Sequence, residues 1–231
     1  MFRQMLYVHW KASRFGLIPF VLGAFALPLL SIQGIRVEGT DPGSATVRGI
    51  LLLEGVSRWT QLYPLLALAL GSILALMVWN WDHRGDHVYP LTLPMARWKY
   101  VLLKMAAGGT LLLLPVLLLW LGALLAVSVV EIPEGFRGYP NAIGFRFLLA
   151  SAVSFSLFFA LAAGTMRTAV GLLVAWILVV LGGEILVPAL GDWLHVPALS
   201  HFRFMPWFLN AAMTWPGPFE VYAGNWMLID I

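Results

Sequence analysis

Hydrophobic and polar positions along this chain alternate on the scale of a bilayer rather than of a helix turn. Uncharged apolar runs occupy residues 15–32, 59–81, 105–130, 147–166 and 168–191, the last interrupted only by Glu184. A hydrocarbon layer about 30 Å thick needs roughly 20 apolar residues in helical form, so each run is long enough to cross it. No water is available there to satisfy backbone amides, which makes helix the predicted state of every run. Pro19, Pro28, Pro64 and Pro115 lie inside the runs, and membrane helices accommodate such residues as kinks.

The segments between the runs differ in character. Residues 34–49, "GIRVEGTDPGSATVRG", alternate Val and Arg around an Asp-Pro-Gly turn signal, which predicts a small hairpin followed by a short amphipathic helix. Residues 192–231 are aromatic but broken by Pro197, Pro206, Pro216 and Pro218, so they offer no clean further span. Trp193, Trp207, Trp215, Tyr222 and Trp226 suit a membrane interface, and this segment is predicted to be extracytoplasmic or interfacial. Residues 87–104 read "HVYPLTLPMARWKYVLLK". There Leu91, Met95, Trp98 and Leu102 form one apolar stripe at helical spacing, with Arg97 and Lys104 on another face. Pro94 suits the first turn of a helix entering the third run, and Pro90 holds the approach extended. The pattern fits a short, stiff amphipathic element presented to the aqueous phase; it also fits a static elbow at the interface.

Composition agrees with this partition. Hydrophobic residues make up 61% of the 231 positions and charged residues 11%, with a mean hydropathy of +0.86, which leaves too little polar surface to cover a water-soluble globule. The expected fold class is an all-α integral membrane protein, residues 1–231 forming a single transmembrane domain. The net charge of +3 comes from basic residues beside apolar runs, where they act as topology signals, and no nucleic-acid partner is expected. With no cysteine, disulfides, iron–sulfur clusters and thiolate metal sites are excluded. The opening "MFRQMLYVHWKASRFG" is too polar and too long for the n-region of a cleavable signal peptide, so the first run is expected to be retained.

Orientation follows from Lys and Arg near the run ends. With a cytoplasmic N-terminus the inner segments carry Arg3, Lys11, Arg14, Arg84, Arg97, Lys99, Lys104 and Arg167, against Asp82 and Asp86 alone as acids. The longer outer segments carry Arg36, Arg48, Arg58, Arg137, Arg146 and Arg203, together with most of the acids, Glu38, Asp41, Glu54, Glu131, Glu134, Asp192, Glu220 and Asp230. The denser positive charge then lies inside, as the positive-inside rule requires.

Candidate chemistry is sparse. No G-x-x-x-x-G-K-[ST] loop is present to cradle ATP phosphates. The histidines His9, His83, His87, His195 and His201 all lie outside the runs, away from where a membrane haem takes its imidazoles. His83 and His87 near Asp86, and His201 with Met205 and Met213, have spacings that metals use, but headgroup-level or packing roles account for them better. No metal, cofactor or catalytic residue is expected. Glu184 stands apart, because an ionisable residue inside a span is by default a functional candidate. It follows Gly182 and Gly183, and is either a carboxylate reaching the outer interface or a polar element of a substrate route.

The run "LTLPMARWKYVLLKM" resembles the cytoplasmic segment of type-2 ABC exporter permeases, in which a Leu-Pro-x-x-Arg core followed by Lys links the second and third spans. Its positions here are Leu93, Pro94, Arg97 and Lys104. The N-terminal "LYVHWKASRFGLIPFVLGAFALPLLS" is similar to that family's amphipathic elbow helix leading into span one, and "AAGTMRTAVG" to its tight link between spans four and five. The resemblance implies a permease subunit in the cell membrane of a bacterium or archaeon. It would pair with a second permease and be powered by a separate cytoplasmic ABC ATPase, which alone binds ATP and Mg. It implies a coupling helix carrying Tyr89, Leu91, Leu93, Pro94, Met95, Arg97 and Trp98, and a sixth span that would begin where the sequence given stops, at Ile231. A non-transporting anchor or accessory subunit of a larger membrane complex is the alternative that the same residues allow.

Overall fold

A computed structural model describes residues 1–32, 42–84, 96–130, 132–164, 166–204, 206–207 and 217–231. The described chain is mostly helical, and five of its helical stretches are long and apolar enough to cross a membrane: Phe2–Ser31, Gly49–Asn80, Arg97–Val129, Pro140–Ala162 and Ile177–Leu194. The protein is therefore an all-α chain of membrane-spanning character. Its described residues group into two compact units, Met1–Phe159 with Asn225–Ile231, and Ala160–Gly224.

The first unit is built on helices α1 (Phe2–Ser31), α2 (Pro42–Trp59), α3 (Leu62–Arg84), α4 (Arg97–Val129) and most of α5 (Pro140–Ala162). Their directions follow from which residues meet. On α1, Gly16 faces Met77 and Gly23 faces Leu66 of α3, so these two run antiparallel. Gly122 of α4 lies against the Phe25 carbonyl of α1, while His9 has Lys104 as an electrostatic neighbour, so α1 and α4 run parallel. Gly108 of α4 meets Val78 of α3 and Phe155 of α5, and Trp120 donates from Nε1 to Asn141 Oδ1 at 2.8 Å. The result is an up-down bundle in which small residues let backbones approach, the usual basis of helix association in lipid. Gly71 shows this best: a Cβ there would lie 2.5 Å from Ser154 Cβ and 2.6 Å from the Phe155 nitrogen.

Three differences from the sequence reading have physical causes. The expected hairpin fails over residues 42–49, which are the first turns of α2. Pro42 starts that helix instead of closing a β-turn, as its fixed φ allows, and residues 34–41 of the expected hairpin lie outside the described ones. The fourth span begins at Pro140, not at 147, because Arg146 does not end the helix: its guanidinium donates to the Asn225 carbonyl and lies 5.7 Å from the Trp226 ring. The first run is not a unit of its own either, since α1 is one helix from Phe2 to Ser31.

At the end of the unit bearing the start of α5, the chain closes on itself. Strand β1 (Arg137–Gly138) pairs antiparallel with β2 (Ile229–Asp230), Arg137 opposite Asp230. Trp226, Leu228 and Ile229 are buried there, with Trp226 stacked on Tyr63 at 6.3 Å between ring centres.

The second unit contains α6 (Met166–Leu181), a π-helical turn at Gly182–Leu186, α7 (Val187–Leu194) and two short helices, α8 (Pro197–Ser200) and α9 (Glu220–Ala223). α7 is capped by His195, whose φ of 55° is the left-handed cap conformation.

Candidate functional site

Polar side chains gather at the opposite end of the first unit, where α3 finishes and α4 starts. Asp82 and Lys104 sit 22 residues apart in the chain yet form an ion pair of 2.5 Å between Oδ2 and Nζ. Both are buried, at 4% and 1% relative exposure. Tyr100, one helical turn before Lys104, donates its hydroxyl to the same carboxylate, 3.1 Å from each oxygen. The Lys104 ammonium also lies 4.2 Å from the centre of the Trp79 ring and 5.4 Å from that of Tyr100, positions where the π faces attract a cation. The carboxylate and two aromatic faces thus surround a charge that would otherwise be expensive to bury.

His9 brings α1 into the cluster. It is buried, its electrostatic neighbours are Lys104 and Asp82, and among the described residues neither ring nitrogen has a hydrogen-bond partner. One turn on, Ser13 is buried with its hydroxyl donating to the His9 carbonyl at 2.7 Å. Three helices are therefore tied together at one level. From that level to the far end, α1 runs from His9 to Ser31, about 33 Å, and α3 from Asp82 back to Leu62, about 30 Å, at 1.5 Å per residue. These lengths match a hydrocarbon core of about 30 Å, so the cluster lies one core thickness from the far ends of α1 and α3.

The cluster forms the base of the connector between α3 and α4. Of the residues singled out in that connector, Tyr89, Leu91, Leu93, Pro94 and Met95 lie outside the described residues. Arg97 and Trp98 occupy the first turn of α4 and are exposed, Trp98 to 61%. The Lys99 ammonium lies 5.5 Å from the Trp98 ring centre. Lys104, seven residues after Arg97, is buried and does not share its exposed setting.

Glu184 belongs to the second unit and lies in the π-helical turn, half-buried. A π turn inserts one extra residue into the helical ladder and is common at functional positions. Gly183 beside it is buried, and a Cβ there would collide with the Phe204 side chain. In the same unit His201 Nδ1 lies 2.9 Å from the Pro197 carbonyl. Among the described residues no three His, Asp or Glu side chains gather as a metal site.

By sequence Asp82 and Lys104 are topology charges and His9 a histidine outside the apolar runs; the structure joins them. No protein-family model, no curated protein and no solved structure matches the chain.

Proposed function

We propose that this chain is the membrane subunit of an ATP-driven exporter of the type-2 ABC class, in which a separate cytoplasmic ATPase moves the helices. The supporting observation is the buried Asp82, Lys104 and Tyr100 cluster at the base of the α3–α4 connector. A force applied to that connector would reach α3 and α4 together, because the ion pair prevents their ends from separating cheaply. In this reading residues 89–99 are the coupling helix, docking Leu91, Met95 and Trp98 in a groove of the ATPase, with Arg97 at its rim, while Tyr89, Leu93 and Pro94 shape the element. The first turns of α1 act as the elbow, held to the connector's base through His9. Glu184, in a helix distorted at its position, serves as a polar element of the substrate route. The N-terminus faces the cytoplasm of a bacterial or archaeal cell, and a second permease completes the transporter.

The exposed Trp98 and Arg97 supply the test. An aromatic and arginine hot spot at a partner interface contributes about 2 kcal/mol or more per large side chain, roughly a thirty-fold change in affinity. Co-expressed ATPase should co-purify with the wild-type chain and be lost with Trp98→Ala and with Arg97→Glu, its hydrolysis rate falling in parallel. Unchanged binding and hydrolysis in both variants would replace this reading with that of a non-transporting anchor or accessory subunit.

A further inference from the structure

The first half of α1 carries more positive charge than a span requires, and carries it on one strip. Residues 1–37 contain no Asp or Glu. His9, Ser13 and Leu17 turn one side of the helix into the bundle, whereas Arg3, Tyr7, Trp10, Lys11 and Arg14 are all exposed. At 3.6 residues per turn those five positions fall within an arc of about 100°. Among the described residues Arg3, Lys11 and Arg14 form no ion pair; the Arg14 guanidinium instead lies 4.7 Å from the Phe15 ring centre.

Depth and direction identify what such a strip meets. Lys11 and Arg14 stand about 3 and 7.5 Å deeper than His9, which marks the boundary of the slab. Helical Cα–Cβ bonds tilt towards the N-terminus, so both side chains reach back to the level of the lipid phosphates. Tyr7 and Trp10, 65% and 41% exposed, have the amphipathic rings favoured at that level. Further along, the same side of α1 continues into Ile18 and Leu22, exposed to 49% and 63%, a surface suited to the hydrocarbon interior of a bilayer. A protein partner covering the basic strip would have to enter the bilayer to cover its continuation.

We propose that Arg3, Lys11 and Arg14 form a binding strip for the phosphate headgroups of anionic phospholipids in the leaflet on the N-terminal side, with Tyr7 and Trp10 seating the glycerol region. The strip is independent of the transport reading, since it needs only the bundle and the bilayer.

The experiment reconstitutes the full chain in phosphatidylcholine bilayers and measures the association of spin-labelled phosphatidylglycerol relative to spin-labelled phosphatidylcholine. Attraction near an anionic surface amounts to about five-fold in affinity per basic side chain, so averaged over the whole lipid annulus the expected preference is roughly two- to three-fold. The preference should fall towards unity in Arg3→Gln/Lys11→Gln/Arg14→Gln and in high salt, and persist in the charge-keeping Arg3→Lys/Arg14→Lys. Arg58→Gln, which removes an exposed cation paired with Glu54 near the other end of the unit, should leave it unchanged. No preference in the wild type, full retention in the triple variant, loss in the charge-keeping variant, or an equal loss in Arg58→Gln would each overturn the proposal.

Discussion

Truncating Asp82 to alanine probes the cluster most directly. The substitution removes the carboxylate that accepts from Lys104 and Tyr100 and leaves a buried ammonium behind. Removing one partner of a buried ion pair destabilises by about 3–5 kcal/mol, most of it the penalty of the charge left unpaired. Two features of this site oppose part of that loss. The Trp79 face, 4.2 Å from the ammonium, remains in place, and a desolvated cation–π contact is worth about 2 kcal/mol. The lysine stem is also long enough to move its head towards the nearby aqueous boundary. The lower end of the range therefore applies, about 3 kcal/mol, or roughly 6–12 °C in the unfolding midpoint for a chain of this size.

The assay is the thermal midpoint of the purified protein in mild detergent, followed by loss of the monodisperse peak on size exclusion. Asp82→Ala should lose 6 °C or more by the estimate of about 3 kcal/mol. The companion Asp82→Leu/Lys104→Met, which removes both charges and restores apolar volume, should recover most of the loss, because an ion pair replaced whole by hydrophobic residues is often neutral. An Asp82→Ala midpoint within about 1 °C of wild type would refute the account, since 1 °C corresponds to well under 1 kcal/mol. So would a double variant less stable than Asp82→Ala, because the charges would then not be coupled.

Two further predictions rest on backbone geometry and on charge. Gly122→Ala places a Cβ against the Phe25 carbonyl of α1 and should destabilise by about 1–3 kcal/mol, while Gly109→Ala, thirteen residues earlier on the same helix with nothing within 4 Å, should gain about 0.5–1 kcal/mol from helix propensity; thermal midpoints that fail to move in opposite directions would contradict the packing. Cysteines at the exposed positions Gln4 and Glu134 should respond oppositely to a membrane-impermeant maleimide in intact cells, Gln4→Cys protected and Glu134→Cys labelled, and the reverse pattern would invert the orientation inferred from charge.

The spans were legible because their signal is local. A run without charge needs no partner to declare that it prefers hydrocarbon, and each of the five runs is helical over most of its described length. Their edges were less legible, because a charge near a run can end it or be absorbed by it. Arg146 was read as an edge, yet it stays inside α5 because the Asn225 carbonyl and the Trp226 ring, seventy-nine and eighty residues later, receive its guanidinium. The pairing of residues 137–138 with 229–230 is more distant still in sequence, and two-residue strands carry no periodicity to detect.

The cluster is a different case, since one signal for it was present. Asp82 directly follows the run 59–81, and Lys104 directly precedes the run 105–130. Two successive spans joined by one connector are antiparallel by necessity, so residues flush with those two boundaries arrive at the same depth. Opposite charges at equal depth on neighbouring helices have every electrostatic reason to pair, because each is costly at a hydrocarbon boundary and less so together. Depth matching of this kind predicts the Asp82–Lys104 pair without any structure, and adding Tyr100 one turn before Lys104 requires only helical spacing. It does not predict His9: α1 is separated from α3 by α2 and a further connector, and only packing determines that its buried side faces Lys104. The part of the site shared by sequential helices is thus written in the positions of the run ends, whereas the part contributed by α1 exists only once the bundle has assembled.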